Sequence, residues 1–108
     1  MKIMKFGGSS VGSAARIQNV MQIVQEAFGN DRRGAVVFSA YQGSTDQLIR
    51  AGEMAAAGDQ SYLTVLNGIQ ERHIDTAREL ISIRSQSNVL AEIKYVLRQL
   101  EEMLRCIF

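Results

Sequence analysis

The sequence of 108 residues has neither proline nor tryptophan, and it contains one cysteine, Cys106, and one histidine, His73. A single cysteine excludes an internal disulfide and a zinc site built from cysteines, which suits a reducing compartment. A lone histidine on an apolar helical stripe is more often a partly buried helix residue than a ligand or a base. We therefore expect no metal-binding residues in the chain and a cytoplasmic location.

The sequence also lacks an excess of charge of either sign and long apolar runs. The 12 Lys and Arg residues nearly balance the 11 Asp and Glu residues, so the net charge of +1 gives no large field that would attract nucleic acid. No stretch approaches the roughly 20 apolar residues of a membrane span, and Gly7 and Gly8 interrupt the N-terminal apolar segment. Neither nucleic acid nor a membrane is therefore expected as a partner.

A turn rich in glycine and serine, from Lys5 to Gly12, joins a short apolar segment to an amphipathic one. Glycine lets the backbone approach a ligand closely, and a following helix offers unpaired N–H groups and the positive end of its dipole. Lys5 adds a mobile cation suited to phosphate. The P-loop pattern would need lysine at Ser13 and the dinucleotide pattern would need glycine at Ser9, so neither is present. Two interpretations remain open here: a phosphate cradle, or a tight turn whose serines cap the helix.

The apolar spacing around this turn predicts a βαβ unit. Residues 2–6 form a first strand, a helix runs from about residue 11 or 12 to residue 28, and residues 35–38 form a second strand. The second strand is a continuous apolar run, which is typical of a parallel strand buried on both faces. Loops that follow parallel strands open on the same edge of a sheet, so the glycine-rich turn and the segment from Ser39 to Thr45 form one candidate site.

The remainder of the chain has helical patterns and no further strand signal. Ser44 and Gln47 fit a capping box at the start of a helix that ends near residue 57. A stripe from Tyr62 to Leu80 predicts a third helix, with Asp59 or Ser61 as its cap. The polar residues 85–88 are expected to interrupt it before a last helix that begins near residue 89. The predicted organisation is a βαβα part over 1–58 and a hairpin of two long helices over 59–108. The chain stops on apolar residues, which we interpret as a cut through an element.

Two ordered motifs carry a resemblance to a known family. Residues 5–12, Lys-Phe-Gly-Gly-Ser-Ser-Val-Gly, resemble the KFGG(T/S)SV signature that opens the aspartokinases of the amino-acid kinase superfamily. Residues 39–48, Ser-Ala-Tyr-Gln-Gly-Ser-Thr-Asp-Gln-Leu, look like the SAxxGxTNxL segment of that family. The resemblance implies an α/β fold: the N-terminal βαβ portion of an amino-acid kinase domain with parallel strands, followed by a helical hairpin, over residues 1–108.

The resemblance also implies a reaction and residue roles. Aspartokinases transfer the γ-phosphoryl group of ATP to the side-chain carboxylate of L-aspartate, in the biosynthesis of lysine, threonine and methionine. Lys5 would be catalytic, because it would stabilise charge on the transferring group, and the ATP-binding residues would be Lys5, Gly7, Gly8, Ser9 and Ser10. Ser39 and Thr45 would bind aspartate. Mg²⁺ would bridge the phosphates, although no carboxylate of the chain is identified as its ligand. A homo-oligomer is expected.

The sequence departs from the family pattern in three places, and two alternatives remain. Ser9 stands where threonine is commoner, the Tyr41-Gln42 pair is bulkier than usual, and Asp46 replaces asparagine, so that its carboxylate would repel a dicarboxylate unless a cation intervenes. The chain is expected to be inactive alone, because further substrate-binding residues and the adenine-binding half come later in the family. One alternative is a noncatalytic helical module that keeps the phosphate cradle as a structural relic and self-associates through its two apolar stripes. The other is a sister kinase acting on glutamate, acetylglutamate or a nucleotide.

Overall fold

The structure is a computed structural model that describes residues 1–31 and 33–108. Along the chain lie β1 (Lys2–Phe6), a 3-10 turn (Gly8–Val11), α1 (Ala14–Phe28), β2 (Gly34–Phe38), α2 (Ser44–Ala56), α3 (Tyr62–Leu80) and α4 (Ile83–Ile107). These elements form two compact units, Met1–Gly43 and Ser44–Phe108. The predicted α/β class, with parallel strands followed by helices, is confirmed.

The first unit is the predicted βαβ unit. Strands β1 and β2 pair in parallel, with Lys2 opposite Gly34 and Phe6 opposite Phe38. Helix α1 connects them, and its apolar stripe covers one face of the pair. The core of this unit consists of Phe6, Val11 and Val20, with Met4, Ile17, Val24 and Val36 packed against them. The pairing brings the ends of both strands to the same edge, where the candidate site was predicted.

Strand β2 is more exposed than the sequence predicted. Val37 is 51% exposed and Phe38 is 57% exposed, although the ring of Phe38 stacks on Phe6 with 5.8 Å between the ring centroids. The expectation of a strand buried on both faces is therefore wrong for the described residues. Helix α1 covers one face only, and on the other face Val37 and Ile3, which is 69% exposed, have no covering layer within this unit.

Helix α1 begins two or three residues later than its apolar pattern suggested. The 3-10 turn takes up the residues before it, and the extended backbone of Ser13 marks the start of the helix. The Ser13 hydroxyl accepts a hydrogen bond of 3.3 Å from the Arg16 backbone N–H, as an N-cap does. Gly29 ends the helix at a φ of 48°, a conformation that glycine adopts at little cost.

The second unit is a group of three helices. Ala51 and Ala55 of α2, fully buried, lie in one core with Tyr62 and Leu66 of α3 and with Leu104 of α4. Helix α2, which the sequence analysis grouped with the strands, thus packs with α3 and α4. The small alanine side chains of α2 allow this close approach of the helix backbones. None of the helices in the described part of the chain is long and apolar enough to span a membrane.

The predicted break at residues 85–88 is wrong, because α4 already starts before them. Helix α3 ends at Leu80, and these polar residues form the first turns of α4. The Gln86 amide donates to the carbonyl oxygens of Arg78, at 2.9 Å, and Ile81, at 2.7 Å. The Gln86 side chain of α4 therefore satisfies carbonyl groups at the end of α3, and the polar residues 85–88 interrupt neither helix.

One helix cap that was predicted for this unit, the capping box at the start of α2, does not form. Helix α2 begins at Ser44 itself, and the buried Ser44 Oγ and Gln47 Oε1 have no hydrogen-bond partner among the described residues, so the capping box is wrong. Before α3, the Asp59 carboxylate accepts a hydrogen bond of 2.9 Å from the Ser61 backbone N–H. That bond lowers the pKa of Asp59. Of the two predicted caps, Ser61 occupies the N-cap position of α3, and its side chain makes no capping hydrogen bond. The histidine is partly buried, as expected, and its Nδ1 lies 2.7 Å from the Ile69 carbonyl oxygen.

Candidate functional site

The glycine-rich turn forms a cradle of backbone N–H groups at the end of β1. Gly7 continues the extended backbone of the strand, with φ −77° and ψ 174°, and the 3-10 turn begins at Gly8. The Ser10 N–H donates to the Gly7 carbonyl at 3.0 Å, which closes the turn. The N–H groups of Gly8 and Ser9 have no acceptor within the described residues, as expected at the start of a helical turn. Such unpaired donors are suited to an anion.

The serines of the cradle do not cap helix α1. That role belongs to Ser13, so the interpretation of Ser9 and Ser10 as helix caps is wrong. The hydroxyls of Ser9 and Ser10 are exposed and make no hydrogen bond within residues 1–31 and 33–108. Two hydroxyl donors therefore remain available beside the free N–H groups.

Lys5 lies at the end of β1, on the exposed face of the strand pair. Its partner in the register is Val37, and its side chain is exposed. Among the described residues, the ammonium group forms neither a hydrogen bond nor an ion pair. Lys2, by contrast, donates to the Ala27 carbonyl at the end of α1, where a cation is favourable. Lys5 is thus the lysine of this unit that has no structural partner and can serve a ligand.

The loop after β2 packs directly on the cradle. The Ser39 N–H donates to the Phe6 carbonyl at 3.0 Å, which extends the strand pairing by one step. A Cβ placed on Gly8 would lie 3.5 Å from both the Ala40 carbonyl oxygen and the Gln42 Cα. The expected neighbourhood of the two loops is therefore confirmed for residues 39–42, and Ser39 and the cradle lie at one edge of the sheet.

Thr45 belongs to the helical unit, in the first turn of α2. Its side chain is exposed, as is that of its neighbour Asp46. An acidic residue in the first turn of a helix is stabilised by the helix dipole. Asp46, which departs from the family motif, therefore has a structural reason to occupy this position.

An open groove of about 400 Å³ runs beside the cradle and along α1. Its lining combines apolar and polar side chains: Phe6, Val20 and Ile23, and Ser9, Ser10, Arg16 and Asn19. The Arg16 guanidinium reaches back along the chain and donates from Nη1 to the Ser9 carbonyl at 2.8 Å. Sequence reasoning missed Arg16. The available signal was a cation in the first turn of a helix, where the dipole disfavours positive charge.

The donor set of this edge suits an anion. Backbone N–H groups, two hydroxyls and an ammonium group can all donate to phosphate oxygens. Within the residues that the structure describes, no cluster of histidine, cysteine, aspartate or glutamate is arranged to hold a metal ion.

Comparison with known proteins gives a family for this arrangement. The model of the amino acid kinase family matches residues 1–104. A bifunctional aspartokinase/homoserine dehydrogenase 2, chloroplastic, from Arabidopsis thaliana is 34% identical over 106 residues, which are 98% of this chain and 11% of that protein. An aspartokinase from Candida albicans is 29% identical over 108 residues, covering 94% of this chain and 19% of the relative.

A shorter match has higher identity. Aspartokinase 3, chloroplastic, from Arabidopsis thaliana is 42% identical over 81 residues, which are 72% of this chain and 14% of that protein. The chain thus spans between about a tenth and a fifth of the length of these curated relatives. The resemblance to aspartokinases is confirmed over nearly the whole sequence, and the chain belongs to the amino acid kinase family.

Proposed function

We propose that the chain is part of an aspartokinase, which transfers the γ-phosphoryl group of ATP to the side-chain carboxylate of L-aspartate. The acyl phosphate product would enter the biosynthesis of lysine, threonine and methionine. The observation that carries the proposal is the cradle: unpaired N–H groups of Gly8 and Ser9, free hydroxyls of Ser9 and Ser10, and the unpartnered Lys5 at the same edge. Family membership makes the chain part of a kinase, which is a transferase.

The proposed ATP-binding residues are those of the first unit. Phosphoryl transfer depends on positioning and on neutralising charge more than on covalent help from the protein. Lys5 stabilises the charge that develops on the transferring group, and the backbone of Gly7 and Gly8 comes close to the phosphates because neither residue has a side chain. The hydroxyls of Ser9 and Ser10 donate to phosphate oxygens. Mg²⁺ bound with ATP supplies further charge neutralisation on the phosphates.

The proposed aspartate-binding residues are Ser39 and Thr45. Ser39 follows β2, directly beside the cradle, where an acceptor could meet the γ-phosphoryl group. Thr45 offers an exposed hydroxyl in the first turn of α2. The similarity of residues 39–48 to the aspartokinase segment favours aspartate over glutamate, acetylglutamate or a nucleotide as the acceptor.

A noncatalytic self-association module is the second candidate. Along α4, the side chains of Val96, Met103 and Ile107 are 57%, 65% and 56% exposed. Apolar side chains that recur on a helix surface favour contact with another chain. A homo-oligomer and a cytoplasmic location are parts of both candidates. The two candidates differ in that the aspartokinase catalyses a reaction and the self-association module does not.

The test is a comparison of acceptors in the full-length protein that contains this chain. ADP release from ATP and Mg²⁺ is measured with L-aspartate, L-glutamate, acetylglutamate or no acceptor. We expect release that depends on aspartate and exceeds the release with each other acceptor at least 10-fold. Release with glutamate alone would support a sister kinase, and the absence of release with every acceptor would support the noncatalytic module.

A further inference from the structure

The peptide group between Ser9 and Ser10 is held at both of its ends. Its carbonyl oxygen accepts the Arg16 Nη1 hydrogen bond of 2.8 Å, and its N–H donates to the Gly7 carbonyl at 3.0 Å. A peptide group is planar, so two bonds on opposite ends fix its orientation about the chain axis. The orientation of this group in turn sets ψ of Ser9 and φ of Ser10.

Arg16 occupies a position where its charge is unfavourable for the helix. It lies in the first turn of α1, and the positive end of a helix dipole disfavours a cation there. Its backbone N–H is bonded to the Ser13 cap, so the start of the side chain is fixed relative to the cradle. The guanidinium then spans the distance back to the turn and also forms part of the groove wall beside Ser9 and Ser10. A side chain in this place is better explained by the turn that it holds than by the stability of its own helix.

We propose that Arg16 is a positioning residue of the phosphate cradle. Its guanidinium holds the Ser9–Ser10 peptide so that the two hydroxyls and the N–H groups of Gly8 and Ser9 keep the directions in which they receive phosphate oxygens. This inference rests on the proposed function for the identity of the ligand, ATP. Arg16 itself need not touch the nucleotide.

The structural half of the proposal is tested by amide hydrogen exchange in the full-length protein. The variants are Arg16→Gln, Arg16→Lys and, as a matched control, Arg98→Gln, which removes an exposed arginine of α4 that has no partner among the described residues. We expect the Ser10 amide to exchange about 10-fold faster in Arg16→Gln, since a charge-assisted hydrogen bond is lost. Arg16→Lys should restore part of the protection, because lysine keeps a donor without the planar fork. The control should match the unmodified protein.

The functional half is tested by steady-state kinetics on the same variants. Arg16→Gln should raise the KM for ATP about 10-fold and change kcat less than about 3-fold, because the cradle binds the phosphates in the ground state and the transition state alike. The KM for aspartate should stay unchanged, whereas a general loss of folded protein would lower the apparent kcat and leave the KM for ATP unaltered. Arg16→Lys should fall between Arg16→Gln and the unmodified protein.

Each result decides one part of the proposal. Unchanged exchange at Ser10 in Arg16→Gln would overturn the positioning role, whatever the protein catalyses. Faster exchange with an unaltered KM for ATP would overturn the link between this turn and the nucleotide. If the unmodified protein transfers no phosphoryl group to aspartate, the proposed function fails, and the exchange data still decide whether Arg16 holds the turn.

Discussion

Replacing Lys5 by methionine separates catalysis from stability more cleanly than any other change at this edge of the sheet. The side chain is exposed and its ammonium has no partner among the described residues, so its removal should alter the free energy of unfolding by no more than about 0.5 kcal/mol. Turnover should behave differently. Loss of one preorganised group that stabilises developing charge lowers kcat by about 100-fold, which corresponds to roughly 2.7 kcal/mol in the barrier.

The assay compares kcat and urea unfolding of the full-length protein with Lys5→Met, Lys2→Met and Lys94→Met. Lys94→Met, a change at an exposed lysine of α4, should affect neither quantity. Lys2→Met should lower stability and leave kcat near normal, since Lys2 bonds the end of α1. Near-normal turnover of Lys5→Met would refute the catalytic role. A stability loss as large as that of Lys2→Met would refute the claim that Lys5 has no structural part.

Three further outcomes are expected. Thr45→Val should raise the KM for aspartate by the equivalent of about 1–3 kcal/mol and leave the KM for ATP close to normal; equal increases for both substrates would restrict Thr45 to the start of its helix. Gly34→Ala should lower the free energy of unfolding by about 1–3 kcal/mol, because the new Cβ would overlap the Lys2 carbonyl oxygen and the Phe28 ring. The control Gly52→Ala, whose new Cβ meets nothing within 4 Å, should be neutral or stabilising. Similar urea midpoints for both variants would contradict this packing. The 108-residue chain alone should transfer no phosphate to aspartate and should sediment as a dimer or larger species at micromolar concentration. A compact monomer would argue against self-association. Aspartate-dependent turnover would argue against the claim that the site is incomplete.

Local patterns were sufficient for much of the fold. The apolar run of β1 and the three-and-four spacing of α1 predicted both elements, and their order implied the parallel pairing that the structure has. Glu101 and Arg105, four residues apart on α4, likewise form an ion pair at 3.4 Å, which that spacing favours. These features depend on neighbours within a few residues, which is the range that a sequence pattern describes.

The features that the sequence did not predict depend on distant partners. The alanine pair of α2, Ala51 and Ala55, is buried by residues of α3 and α4, which lie far along the chain. The sequence pattern of α2 alone therefore did not predict that this helix packs with them. The start of α4 depends on Gln86 reaching carbonyls of the preceding helix, which a list of polar residues does not reveal. Arg16 was missed for the same reason, because its hydrogen bond crosses from α1 to the turn before it.

For the candidate site, the sequence predicted which loops meet, and the structure shows which serine caps helix α1. Serine in a turn before a helix is compatible with both roles. The capping bond of Ser13 leaves Ser9 and Ser10 unoccupied, and only coordinates could assign that bond. The roles of Ser39 and Thr45 toward aspartate stay predictions.

The central claim, transfer of a phosphoryl group from ATP to the aspartate side chain, is tested most directly by trapping the product with hydroxylamine. The full-length protein is incubated with ATP, Mg²⁺, L-aspartate and hydroxylamine, which converts an acyl phosphate into a hydroxamate. We expect aspartyl hydroxamate that requires both ATP and aspartate and that falls about 100-fold in Lys5→Met. ADP formation without hydroxamate, or equal hydroxamate from Lys5→Met, would contradict the account.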